Sequence, residues 1–141
     1  MRESLDPTAV AASELPVAAF AGGAVEWIEP GASVVEAAQR LSQHSIGALV
    51  VGDGAEPIGI FTERDVVGAV AADRPLGALT VRDVMSTDLR WCDIDATVGE
   101  VAQEMMTHYV RHLLLEEAGE PAGIVSMRDL LGALIMPDDA P

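Results

Sequence analysis

The sequence has no lysine. Its eight basic residues are all arginine and stand against 23 aspartates and glutamates, for a formal net charge of −15. A surface of that sign excludes the electrostatic footprint that nucleic acid or an anionic membrane would need. Arginine-only usage fits a coding bias that also favours Ala and Gly, and arginine suits bidentate contact with phosphate. A single cysteine, Cys92, excludes an internal disulfide and fits a reducing compartment. It lies in an apolar segment and reads as core. Aromatic residues make up only 4% of a chain that is 50% hydrophobic, so the core is expected to be built from Ala, Val, Leu and Ile. No apolar run reaches bilayer length, and the start lacks the basic-then-apolar order of a signal peptide. The expected location is the cytoplasm. There is no nucleophile elbow, no Walker loop and no Cys/His metal spacing. His44, His108 and His112 are not spaced as a chelating pair on one helix. An enzyme, a metal site and a catalytic residue are therefore not expected.

What the sequence does have is an internal repeat. Glu56-Pro57-Ile58-Gly59-Ile60-Phe61-Thr62-Glu63-Arg64-Asp65 reads as a turn, a short apolar strand and a helix start. It returns as Glu120-Pro121-Ala122-Gly123-Ile124-Val125-Ser126-Met127-Arg128-Asp129. The copy extends without a gap from Ala32–Val70 to Ala96–Leu134, with Trp27 matching Trp91 further back. One repeat usually cannot bury its own apolar face, so two copies are expected to share a core. A chain of 141 residues suffices for one domain or two such units.

The expected divisions are a poorly ordered tail over 1–15, a first repeat over 16–75, a second over 76–136 and a frayed end over 137–141. In the first repeat, a turn over Pro16–Gly23 is looser than its counterpart Thr80–Thr87 because of Gly22-Gly23. A strand follows at Val25–Ile28, matched by Leu89–Cys92. Ser33-Val34-Val35-Glu36 and Thr97-Val98-Gly99-Glu100 are capping boxes, opening helices with apolar faces at Val34, Ala37, Ala38, Leu41 and at Val98, Val101, Ala102, Met105. His44 and His108 close them. A hairpin of Ala48–Val51 and Ile58–Phe61 follows, copied at His112–Leu115 and Ala122–Val125. Second helices run from about Glu63 to Ala72 and Met127 to Ile135. The fold class is α/β, strand-helix-strand-strand-helix in each copy, with the sheet of one copy covering that of the other.

Thr62 and Ser126 lie where a strand hands over to a helix, where free N–H groups and the helix dipole favour an anion. Asp65 and Asp129 follow one turn on, and a carboxylate can accept two hydroxyl hydrogen bonds, as from a ribose diol. The same spacing also makes a good helix cap.

Two ungapped copies carrying Ile46-Gly47-Ala48-Leu49-Val50-Val51, Gly59-Ile60-Phe61-Thr62-Glu63-Arg64-Asp65, Val110-Arg111-His112-Leu113-Leu114-Leu115 and Gly123-Ile124-Val125-Ser126-Met127-Arg128-Asp129 resemble a tandem pair of CBS domains, or Bateman module, over roughly Val17 to Met136. The resemblance implies two repeats about a pseudo-twofold axis, a homodimer, and a regulatory module that binds AMP, ADP, ATP or S-adenosylmethionine. It implies ribose contacts from Asp65 and Asp129, with Thr62 and Ser126 assisting. Phosphate contacts would come from Arg64, Arg128, Arg111 and His112, and the base would lie near Pro30 and Ile46 or near Ile94 and Val110. Gly47-Ala48 lacks the charge of Arg111-His112, so the two clefts should differ. The expected output is an effector protein or the dimer itself. The rival expectation is an interaction module with vestigial clefts that binds no ligand.

Overall fold

The computed structural model describes residues 11–21 and 24–135. The expected loose stretches over 1–10 and 137–141, and the Gly22-Gly23 link, lie outside the described residues. The first repeat contains β1 (Trp27–Ile28), α1 (Val34–His44), β2 (Ala48–Gly52), β3 (Pro57–Thr62) and α2 (Glu63–Ala71). After the short helix α3 (Val81–Val84), the second repeat contains β4 (Trp91–Asp93), α4 (Val98–His108), β5 (His112–Glu117), β6 (Glu120–Ser126) and α5 (Met127–Leu134). The chain is α/β, with two three-stranded sheets ordered β1-β2-β3 and β4-β5-β6. In each, the first strand runs parallel to the central strand and the hairpin partner runs antiparallel. The crossover helix makes the parallel pairing possible.

Local chemistry explains the helices. Ser33 Oγ accepts the Glu36 N–H at 3.0 Å, and Val34, Ala37 and Leu41 form the buried stripe of α1. Its expected capping box is only half made. Arg40, one turn on, draws the Glu36 carboxylate to itself at 3.4 Å. In α4 position 104 is glutamate, and Glu100 stays on the Thr97 N–H at 2.8 Å, completing the box. The first strands are shorter than or offset from the expected spans, because only Trp27–Ile28 and Trp91–Asp93 find ladder partners.

Each sheet is covered on both sides. Leu49 and Val51 face the helices of the first core, as Leu113 and Leu115 do in the second. Alternation places Ala48 and Val50 on the opposite face, where they are equally buried. On that side the repeats approach each other. A Cβ on Gly47, just before β2, would lie 3.3 Å from His112 Nε2 at the start of β5.

The two cores do not follow the boundary between the repeats. Leu79 and Val81 complete the first core, whereas Val17 is fully buried in the second. The exchange satisfies helix ends, whose first N–H groups have no partner within the helix. The Leu79 carbonyl accepts Val34 N–H of α1 at 2.9 Å, and the Leu15 carbonyl accepts Val98 N–H of α4 at 2.9 Å. Val81 N–H and Val17 N–H return the bond to the Ala32 and Ala96 carbonyls at 2.8 and 2.9 Å. The expected tail therefore ends earlier than residue 15. Ala12–Glu14 is a 3-10 turn, and Ala12 and Leu15 pack against the second core. Replacing Val17 with Ala removes two buried methyl groups and should destabilise the chain by about 2 kcal/mol. Urea unfolding checks this; a loss below a few tenths of that value would mean that the segment does not close the second core.

Candidate functional site

The strand-to-helix corners hold the candidate residues in place. At the first corner, the Thr62 N–H and hydroxyl both donate to Asp65 Oδ2, at 2.8 and 3.4 Å. At the second, Ser126 N–H donates to Asp129 Oδ2 at 2.8 Å, and Asp129 N–H donates to Ser126 Oγ at 3.0 Å. Both carboxylates thus use one oxygen as a cap. Each corner is also tied to its central strand: Glu63 N–H bonds the Gly47 carbonyl at 3.0 Å, and Met127 N–H bonds the Arg111 carbonyl at 2.8 Å.

A third box tests what the motif means. Thr80 N–H and its hydroxyl donate to Asp83 Oδ2 at 2.9 and 3.0 Å, in the same pattern. Asp83 is exposed, and its bonds to the Thr80 backbone and hydroxyl hold its carboxyl below the ordinary range. Asp65 makes the same bonds but is half-buried, and burial raises its carboxyl above the ordinary range despite Thr62 and Arg64. Capping is therefore common to all three, and partial withdrawal from water sets Asp65 apart from Asp83. Thr80-Val81-Arg82-Asp83 was not singled out in the sequence, although its spacing is the same.

The residues brought together lie at the junction of the repeats. The half-buried His112 ring stands over Gly47, directly across the ladder from Ser126. A Cβ at Gly47 would also lie 2.8 Å from Glu63 Oε1, so Gly47 leaves room for both side chains. Burial pushes the His112 imidazole below its ordinary value; Asp129 and Glu63 favour its cation, and Arg111 opposes it. Glu63 belongs to this group but was not expected, because its counterpart is Met127 and the repeat comparison marks it as variable. Arg64, Arg111 and Arg128 are exposed around the junction residues. Ile46 packs beside the first core, and Ile94 and Val110 beside the second. Pro30 contributes its carbonyl to Arg82 N–H at 3.0 Å. No contact joins these four directly to His112 among the described bonds.

Other chemistry is sparse. Burial, with Glu104 and Glu100, pushes the Cys92 thiol up to about 11, so it is not a thiolate near neutral pH. Among the described residues, no three His, Cys, Asp or Glu side chains converge as metal ligands, and no helix is long and apolar enough to cross a membrane.

This duplicated fold, with paired boxed corners at a shared junction, is that of a tandem of two like α/β units. The CBS domain pattern matches residues 23–72 and 81–136, and the chain belongs to the CBS-domain family. It is 36% identical over 110 residues to a 17.7 kDa protein of Acidianus ambivalens, covering 77% of this chain and 66% of that protein. A Methanopyrus kandleri protein is 35% identical over 72% of this chain and 54% of its own length. The crystal structure of a CBS-domain protein from Agrobacterium tumefaciens superposes with a TM-score of 0.78 at 36% identity, over 84% of this chain and 90% of that one. Two structures at 22% identity share the fold. A Pyrobaculum aerophilum CBS protein complexed with AMP has a TM-score of 0.73 over 82% of this chain and 89% of that chain. The CBS pair of protein MJ0100, complexed with 5′-methylthioadenosine and S-adenosyl-L-methionine, has a TM-score of 0.75 over 84% and 94%.

The His112 environment predicts a pH dependence. A histidine with a depressed folded-state pKa binds fewer protons folded than unfolded between that value and its ordinary value of 6.5. Its contribution is present above 6.5 and is lost as pH falls toward the depressed value. Asp65 acts oppositely and at lower pH: stability is gained as pH falls through its raised value toward 3.8. Urea unfolding at a series of pH values should show a decline just below pH 6.5 that flattens in His112→Gln. An equal decline in that variant would assign the titration to another group.

Proposed function

We propose that this chain is a regulatory module, not an enzyme, that binds an adenosine-containing ligand, AMP, ADP or ATP, at the junction of its repeats and passes the binding on to an effector protein. The carrying observation is the composite junction, where Gly47 and Glu63 of one repeat meet His112 and Asp129 of the other. In this reading Asp129, already fixed by its cap, accepts the ribose hydroxyls through its other oxygen. Ser126, whose Oγ accepts the Asp129 N–H, has its hydroxyl hydrogen available for the ligand. Arg111 and Arg128 supply positive charge for phosphate, beside His112, whose imidazole a bound phosphate would favour as the cation. Asp65 and Arg64 do the same at the other corner, where the Thr62 hydroxyl already donates to Asp65; that corner also lacks a counterpart of Arg111-His112 and therefore binds more weakly. Pro30 with Ile46, and Ile94 with Val110, flank the base. The AMP-bound and S-adenosyl-L-methionine-bound relatives support the adenosine class without separating its members. The regulated change is limited to the ligand's differential affinity for two states of the junction. The location that fits this reading is the cytoplasm.

A ligand at a hundred times its dissociation constant stabilises by about 2.7 kcal/mol. For a chain of this size the unfolding midpoint should rise by about 2–4 °C per kcal/mol. Thermal unfolding with AMP, ADP, ATP and S-adenosylmethionine should give a shift that Asp129→Ala removes and Asp65→Ala leaves largely in place. No shift at millimolar concentration with any of them would favour the ligand-independent interaction module.

We propose further that the chain forms a homodimer through the outer faces of α2 and α5. Val67 and Val70 on α2, and Leu131 and Leu134 on α5, occupy matching positions and are all more than half exposed. Exposed apolar side chains grouped on a helix face mark association surfaces. Sedimentation velocity should give a dimer for the unaltered chain and a monomer for Leu134→Arg. A monomer for both would remove this contact.

A further inference from the structure

Two open grooves in the described residues lie away from the repeat junction. Each runs between the first strand and first helix of its repeat, and none of the expected ligand residues lines either one. The groove of the first repeat has a volume of about 340 Å³ and contains Trp27, Glu29, Glu36 and Arg40. The groove of the second has a volume of about 790 Å³ and contains Trp91, Asp93, Asp95, Glu100 and Glu104. Trp91, Asp93 and Glu100 are the repeat counterparts of Trp27, Glu29 and Glu36. At the remaining matched position the charge reverses: Arg40 is replaced by Glu104.

Arg40 occupies its own groove. Its Nη1 donates to the Trp27 carbonyl at 2.7 Å and its Nη2 to Glu36 Oε2 at 3.4 Å. The second groove offers the same acceptors. In both sheets the ladder bond goes to the residue before the tryptophan: Val50 N–H to Glu26, and Leu114 N–H to Arg90. The Trp91 carbonyl is therefore turned to the open edge, as the Trp27 carbonyl is. Glu100 uses Oε1 for the Thr97 N–H, which leaves Oε2. Arg90 does not line the groove; it is held by Asp88 at 3.2 Å and stands 3.4 Å from His108. The carboxylates are too dispersed to hold a metal ion among the described residues, which suits a planar, delocalised cation instead. Trp91 and Ala96 supply apolar surface for its alkyl stem.

We propose that the flank groove of the second repeat docks an arginine side chain of a partner protein, its guanidinium taking the place that Arg40 takes in the first repeat. The net charge of −15 favours such a partner at long range. The reading is independent of nucleotide binding at the junction and survives or fails separately from it.

The test is a titration of the full chain with the capped peptide Ac-Gly-Arg-Gly-Arg-Gly-amide, read at the indole N–H signals of Trp27 and Trp91. The Trp91 signal should move saturably and the Trp27 signal should not. Glu104→Arg, an exposed position, copies the first repeat and should weaken binding by about tenfold or more. Arg40→Glu empties the first groove and should make Trp27 respond as well. Absence of a saturable Trp91 shift, equal affinity for the matching lysine peptide, or undiminished affinity in Glu104→Arg would each overturn the proposal. The response of the unaltered chain to the two peptides decides it even if a variant does not fold.

Discussion

Two backbone hydrogen bonds at helix starts hold this structure in its arrangement. An α-helix begins with N–H groups that it cannot satisfy itself, and burying them unpaired is costly. Here the first N–H of α1 finds its acceptor at Leu79 and that of α4 at Leu15. Each acceptor lies on the segment leading into the other repeat. Once those bonds form, Val81 is buried in the first core and Val17 in the second, so neither repeat completes its core from its own sequence unit. Beside the exchange, Gly47, just before β2, stands against His112 at the start of β5.

The junction is asymmetric although the folds around it match. Both corners carry a carboxylate fixed by a cap and a backbone bond from the helix start to the central strand. The residues beside those bonds differ: Gly47-Ala48 on one side and Arg111-His112 on the other. A small side and a cationic side fit together across the pseudo-twofold axis, and a phosphate-bearing ligand would meet its positive charge mainly from the second repeat. The exposed Thr80/Asp83 box shows that a hydroxyl and a carboxylate at this spacing are first of all a helix cap. The position at the junction, not the motif, carries the argument for binding.

Much of the fold was legible in the sequence because periodicity and capping act locally. α1 and α4 begin after Ser33 and Thr97 and end at His44 and His108, as their stripes imply. The hairpin partners follow from the apolar runs and the turns between them. The exchange of segments was not legible, because Leu15, Val17, Leu79 and Val81 look like ordinary linker hydrophobics until their carbonyls and N–H groups have partners. The half-made box at Ser33 was missed because Arg40 competes for Glu36, an interaction one turn beyond the motif. Glu63 was missed for the opposite reason: attention to residues shared by the repeats passes over one that is present only once. The flank grooves depend on edge carbonyls, which a sequence does not display.

The central claim is that the repeat junction binds an adenosine-containing ligand beside His112. The most direct measurement is the ring chemical shift of His112 as AMP is added, in a chain whose three histidines give a readable spectrum. The account predicts a saturable change at His112 and an upward displacement of its titration, because a bound phosphate favours the imidazolium. His44 and His108 should stay unmoved. An unchanged His112 signal while AMP binds elsewhere, or no response at any histidine with AMP in large excess, would contradict it.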